Sequence, residues 1–191
     1  MSGTINPLLL DFPDQFETER LLIRSPRPGE GKSVHEAILE SLDNLRPWMP
    51  WVDPVPTVND QIIHARRMAA KFILREDLPL FLFRRSDGLF VGGSGLHRID
   101  WSVPRFEIGY WVRASLEGQG YITEAVNGIT RFAFEWLGAR RIEIRCDSRN
   151  HRSAAVARRA GYTLDGCLRH DDWSPDGTLR DTLVFSKIRE E

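Results

Sequence analysis

The sequence predicts an α/β (α+β) fold: a mixed, largely antiparallel sheet of six to seven strands with helices on both faces. Two observations lead there. The chain reads in the order strand, helices, three strands, helix, strand, helix, two strands. Its longer apolar patterns repeat every three to four residues, whereas the shorter ones are continuous apolar runs bounded by turn residues. In addition, no linker-like or low-complexity segment interrupts its 191 residues, so one domain over 1–191 is expected.

Phe16 to Ser25 reads as the first strand, centred on Leu21, Leu22 and Ile23. A loop rich in Pro and Gly follows, then a short helix from Ser33 to about Leu42. Arg46-Pro47-Trp48-Met49-Pro50-Trp51 is irregular, because two prolines exclude a helix interior. Thr57 to Leu74 is a helix with one apolar stripe, and Thr57 with Asp60 forms a capping box. Leu78 to Arg85 and Leu89 to Leu96 flank Ser86-Asp87-Gly88 as a hairpin. Phe106 to Val112 is a further strand. The next helix carries Ile122, Ala125, Val126, Ile129, Phe132, Ala133, Trp136 and Leu137 on one face and stops at Gly138. Arg141 to Cys146 is a strand, Asn150 or His151 to Ala160 a short helix ended by Gly161. Tyr162 to His170 and Leu179 to Ile188 are strands joined across Ser174-Pro175-Asp176-Gly177.

A net charge of −1 disfavours a general nucleic-acid binder, which needs a basic field. Arginine is concentrated locally: eight lie between Arg140 and Arg169, against Glu143, Asp147 and Asp165. They form either solvated faces or a basic rim near an anionic ligand. Cys146 and Cys167 have no metal-type spacing, so no metal is expected and free thiols in a reducing cytoplasm are. No segment approaches the length of a membrane span, and Leu8 to Leu10 is too short an apolar run for a signal peptide.

The most informative stretch is Gly118-Gln119-Gly120-Tyr121-Ile122-Thr123-Glu124-Ala125, between a strand and an amphipathic helix. Such a turn exposes unpaired N–H groups at the positive end of the helix dipole and suits a phosphate or pyrophosphate. It follows the fourth strand and lacks a third glycine, which argues against a dinucleotide fold; the Gly-Lys-Ser/Thr of a nucleotide-hydrolase loop is also missing.

Several segments together carry a resemblance: Thr18 to Arg24, Trp48-Met49-Pro50-Trp51, Ile108 to Val112, Gly118 to Ala125, Asn150-x-x-Ser153, Val156-Ala157, Gly161-Tyr162 and Gly166-Cys167-Leu168. The chain resembles the GNAT superfamily of acyl-CoA N-acyltransferases, and within it the RimJ/RimL group, which acetylates α-amino termini of ribosomal proteins. Glu117 replaces the family's Arg or Gln at the first turn position, and Ile122 its final Gly or Ala. The resemblance implies acetyl-CoA as co-substrate and a protein or peptide α-amine as acceptor. Alternatives are a small-molecule amine (an antibiotic, a polyamine or an amino acid) or a CoA-binding module without catalysis. It implies that Gln119, Gly120, Tyr121, Ile122 and Thr123 hold the pyrophosphate, unless the glycines only relieve a tight turn, that Val112 meets the pantetheine arm or is an ordinary strand residue, and that Asn150 contacts the CoA arm or simply caps its helix. Ser153 is then the acid that returns a proton to the thiolate, since the family's usual tyrosine position is Ala157. Glu107 and Asp172 are candidate bases or, alternatively, surface carboxylates. His97 and His170 are weaker candidates. Trp48, Met49 and Trp51 line the acceptor pocket or pack the core. Monomer and homodimer are both compatible with the resemblance.

Overall fold

The computed structural model describes residues 6–189. The chain runs β1 (Gln15–Glu17), β2 (Leu21–Arg24), α1 (Gly31–Leu45), α2 (Val58–Leu74), β3 (Leu78–Arg84), β4 (Phe90–Asp100), β5 (Arg105–Val112), α3 (Tyr121–Trp136), β6 (Arg141–Asp147), α4 (His151–Arg159), β7 (Thr163–Trp173) and β8 (Leu179–Ile188). The strands form one eight-stranded sheet in the order β1-β2-β3-β4-β5-β6-β8-β7. Every neighbouring pair is antiparallel except β5 with β6, which are parallel and joined through α3.

The sheet has eight strands where six to seven are expected. The predicted strand Phe16 to Ser25 is two, β1 and β2, which pair antiparallel from Gln15↔Arg24 to Glu17↔Leu22. The chain reverses at Thr18–Arg20, where Glu124 of α3 collects the Thr18 hydroxyl and the Arg20 backbone N–H at 2.6 and 2.7 Å. That partner lies more than a hundred residues away, so local sequence carries no sign of the break.

Period-two alternation makes the sheet a two-sided wall. In β3, Leu78, Leu80 and Leu82 join the core under α3, with Ile108, Ile129, Ile142 and Phe185. Phe81 and Phe83 point the other way and pack with Phe90 against Val34, Ile38 and Ala65 of α1 and α2. Helices thus cover both faces. The capping box of α2 is formed as expected, with Thr57 Oγ1 accepting from the Asp60 N–H and Asp60 Oδ2 accepting from the Thr57 N–H at 2.8 Å. No helix among the described residues is long and apolar enough to cross a membrane.

Candidate active site

The parallel ladder between β5 and β6 is short. It pairs Arg105↔Arg141, Phe106↔Ile142 and Glu107↔Glu143 and then stops. β6 continues alongside β8 as far as Asp147↔Thr182, while β5 continues alongside β4 as far as Val112↔Gly92. A wedge therefore opens in the middle of the sheet. Arg113 donates its N–H to Val91 O at 2.8 Å, so ladder alternation turns the N–H of Val112 the other way, into the wedge. A groove of about 970 Å³ fills this opening. Its walls are the end of β5 (Tyr110–Val112), the start of α3 (Gly120–Thr123), the start of α4 (Asn150–Ser153), and Trp48 with Met49.

The glycine turn closes one end. Gly118 and Gly120 take φ of +72° and +81°, left-handed values that a residue with a Cβ adopts only with strain. Gly120 precedes α3 without any side-chain cap, and the first intrahelical bond is Glu124 N–H to Gly120 O at 3.0 Å. The N–H groups of Tyr121, Ile122 and Thr123 come before that bond and have no intrahelical acceptor. The side chains of Tyr121 and Ile122 are buried in the core, so an isoleucine at position 122 leaves the N–H end of the helix uncovered. Gln119 does not line the groove; its amide donates to Ser115 O at 3.0 Å. Glu117 is held by Arg152 Nη1 at 2.6 Å and Asn44 Nδ2 at 3.0 Å, which offsets its charge at the groove wall. Arg152 and Arg159 line the groove, whereas Arg141 and Arg145 are engaged in ion pairs along the sheet. Part of the arginine concentration is thus a rim of the groove and part is surface pairing.

At the opposite wall, Asn150 Oδ1 accepts the Ser153 N–H at 3.0 Å, so Asn150 caps α4 while lining the groove. The Ser153 hydroxyl lies 2.9 Å from the hydroxyl of Tyr110, which also donates to Ser153 O at 3.1 Å. Burial pushes the Tyr110 phenol far above its ordinary pKa, so it stays protonated. Burial likewise raises the Cys146 thiol. Sequence alone does not single out Tyr110. Its only sequence signal is its place in Ile108-Gly109-Tyr110-Trp111, and its contact with α4 needs the tertiary structure.

Glu107 is the last residue of β5 to pair with β6 and sits at the closed end of the wedge, opposite His97. Burial holds its carboxyl above the usual range, outweighing the opposing pull of Arg98, Arg145 and His97. Its Oε2 has no hydrogen-bond partner; Arg98 Nε lies 3.4 Å away. Asp172 is different. It accepts from the Trp173 N–H at 2.8 Å and from Arg180 at 3.0 Å, is half exposed, and its pKa is lowered by these bonds. Neither Glu107 nor Asp172 is among the residues that line the groove. His97 Nδ1 is 2.7 Å from Asp77 Oδ1, and His170 is an exposed residue with φ of +50°.

Of the aromatic segment, Trp48 and Met49 reach the groove. Trp51 instead packs on Trp111 at 6.0 Å between ring centres and stays 44% exposed. Trp111 itself lies over Gly93, where an added Cβ would come within 2.5 Å of the indole nitrogen.

The acetyltransferase (GNAT) domain family matches residues 20–163. YdaF of Bacillus subtilis strain 168 is 29% identical over 177 residues, covering 91% of this chain and 93% of YdaF. The ribosomal-protein-serine acetyltransferase of Escherichia coli K12 is 33% identical over 109 residues, 57% of this chain and 60% of that one. Among solved structures, the microcin C7 self-immunity acetyltransferase MccE, in complex with acetyl-CoA and AMP, superposes with a TM-score of 0.85 at 23% identity, covering 93% of this chain and 97% of MccE. The wedge in the sheet, the uncapped glycine turn and the match over residues 20–163 together identify the chain as a member of the GNAT acetyltransferase family.

Proposed function

We propose that the protein transfers an acetyl group from acetyl-CoA to the α-amino terminus of a protein or peptide by direct attack. The observation that carries this is the wedge between β5 and β6, which joins the uncapped start of α3 to the Ser153 hydroxyl in one groove. The N–H groups of Gly120 to Thr123 hold the pyrophosphate at the helix dipole. Tyr110 to Val112 lie along the pantetheine, and the Val112 N–H polarises the thioester carbonyl. Stabilising a developing oxyanion by one such donor is worth about 3–4 kcal/mol.

The amine attacks the carbonyl carbon as its neutral form. A C–N bond forms, the C–S bond breaks, the amine proton leaves through water to Glu107, and Ser153 protonates the departing thiolate, its own proton being restored through water from Glu107. Tyr110 orients the serine hydroxyl. Glu107 is preferred to Asp172 as base because burial raises its proton affinity, whereas the bonds of Asp172 lower its own. An α-amine of pKa about 7.7–8.0 is roughly 10–20% neutral at pH 7, against about 0.04% for a lysine amine. A carboxylate base is adequate for the first and weak for the second.

The acceptor side supports a peptide. Trp48 and Met49 are shared with a neighbouring cleft of about 650 Å³, where Asp53 and Asp176 face Arg46 and Arg149. A polycationic acceptor calls for an acidic lining; this one is balanced. The ribosomal-protein-serine acetyltransferase among the relatives has a protein acceptor, in the same direction. A cytoplasmic location goes with this function and with two unpaired cysteines, Cys146 and Cys167. The test is free-thiol release from acetyl-CoA across a panel of N-terminal peptides and small amines. Release with peptides is expected; release with small amines alone removes the protein acceptor, and none with any amine removes the transferase.

A further inference from the structure

We propose that Arg20 is a positioning residue for CoA: it fixes the Gln119–Gly120 peptide so that the glycine turn presents its N–H groups to the groove. The proposal rests on the assignment of that turn to the CoA pyrophosphate. Arg20 stands on the outer side of the turn, in a separate cleft of about 750 Å³ shared with Thr18, Glu124 and Gly120, and does not line the groove. Its Nη1 donates to the carbonyl of Gln119 at 2.9 Å. In a trans peptide the next N–H points opposite to the carbonyl, so that of Gly120 is directed away from Arg20.

Without this bond the peptide is poorly fixed. Gly120 follows it with φ of +81° and Gly118 precedes Gln119 with φ of +72°, and glycine rotates with little steric restraint. A flipped peptide would put the Gln119 carbonyl where an N–H belongs and set its oxygen against the phosphates. Arg20 is itself held on several sides. Its Nε donates to Glu124 Oε2 at 2.6 Å and its backbone N–H to Glu124 Oε1 at 2.7 Å. The Thr18 hydroxyl donates to the same Oε1 at 2.6 Å, and the guanidinium stacks 4.5 Å above the centre of the Tyr121 ring. Glu124 belongs to the first turn of α3, so the reversal between β1 and β2 and the helix start are tied to one carboxylate. The planar fork is required, because one side chain must reach both Glu124 and Gln119 in fixed directions.

The test is calorimetric binding of CoA to the full chain together with thiol-release kinetics, for Arg20→Lys, Arg20→Gln and Glu124→Gln. Both Arg20 variants should weaken CoA about tenfold, the effect of one charge-assisted hydrogen bond, and raise KM for acetyl-CoA with kcat at saturation unchanged. Glu124→Gln, which leaves Arg20 in place but loosens it, should give a smaller loss and reports even if an Arg20 variant fails to fold. Full CoA affinity in Arg20→Lys would show a charge effect only and overturn the proposal. So would a fall in kcat equal to the fall in kcat/KM, or unchanged affinity in all three. If the unaltered protein itself does not bind CoA, the proposed function falls first and this inference with it.

Discussion

Replacing Gly120 by alanine loads strain onto the turn proposed to hold the pyrophosphate. Gly120 has φ of +81° and ψ of 0°, a left-handed conformation that costs an L-residue about 1–2 kcal/mol. Sterics add little, since the new Cβ would meet only Arg20 Nη2, the far end of a flexible side chain, at 3.4 Å. The strain has two outlets. If the unliganded turn keeps its shape, the folded state loses about 1–2 kcal/mol and Tm falls by about 2–8 °C, with CoA affinity unchanged. If the unliganded turn relaxes, Tm is spared and CoA binding weakens by about 5–30-fold, because the strain is restored on binding. Differential scanning fluorimetry and calorimetry on the same samples measure both, and the two losses together should come to about 1–2 kcal/mol. Gly166→Ala is the control, since Gly166 has no positive φ and an added Cβ meets nothing within 4 Å. Wild-type Tm together with wild-type affinity in Gly120→Ala would refute the left-handed turn and its role.

Glu107→Gln should lower kcat/KM about 10²-fold and remove an acid limb from the pH profile. In the unaltered protein that limb lies above the ordinary carboxylate range, since burial raises the Glu107 pKa. The same sign governs stability: the folded state binds the Glu107 proton more tightly than the unfolded one, so stability falls as pH rises through that pKa. At neutral pH the Gln variant should therefore melt at or above the wild-type temperature; a lower Tm with full activity would make Glu107 purely structural. Ser153→Ala should reduce turnover while leaving CoA affinity intact, and Tyr110→Phe should add little to it in the double variant, because the two hydroxyls share one hydrogen bond; additive losses would separate their roles. Asn150→Ala should lower stability by about 1 kcal/mol through loss of the α4 cap, read as the midpoint of urea unfolding.

The parts legible in sequence are those set by near neighbours in the chain. The Thr57–Asp60 capping box, the apolar stripe of α3 and the glycine turn before it all follow from spacings of three to four residues or from residue type. The parts not legible depend on distant partners. Thr18 and Arg20 break an otherwise strand-like run because Glu124 binds them. The wedge between β5 and β6 leaves no local signal, since both strands keep their pattern while their pairing ends at Glu107↔Glu143. Tyr110 reads as an ordinary strand aromatic until α4 brings Ser153 against it. Asp172 stands near the expected base position in sequence, but Arg180 and its neighbour's N–H occupy its carboxylate. By charge alone Glu117 is adverse to a phosphate site; Arg152 and Asn44 supply the missing compensation.

The most direct test uses two peptides of one sequence, each containing a lysine, with the N-terminus of one blocked. After incubation with acetyl-CoA, thiol release and the mass of each peptide are measured. Acetylation of the free peptide at its α-amine, matched by an equal amount of thiol, with none on the blocked peptide, is the result expected. Acetylation of the lysine in both peptides alike, or thiol release that leaves both unmodified, would contradict it.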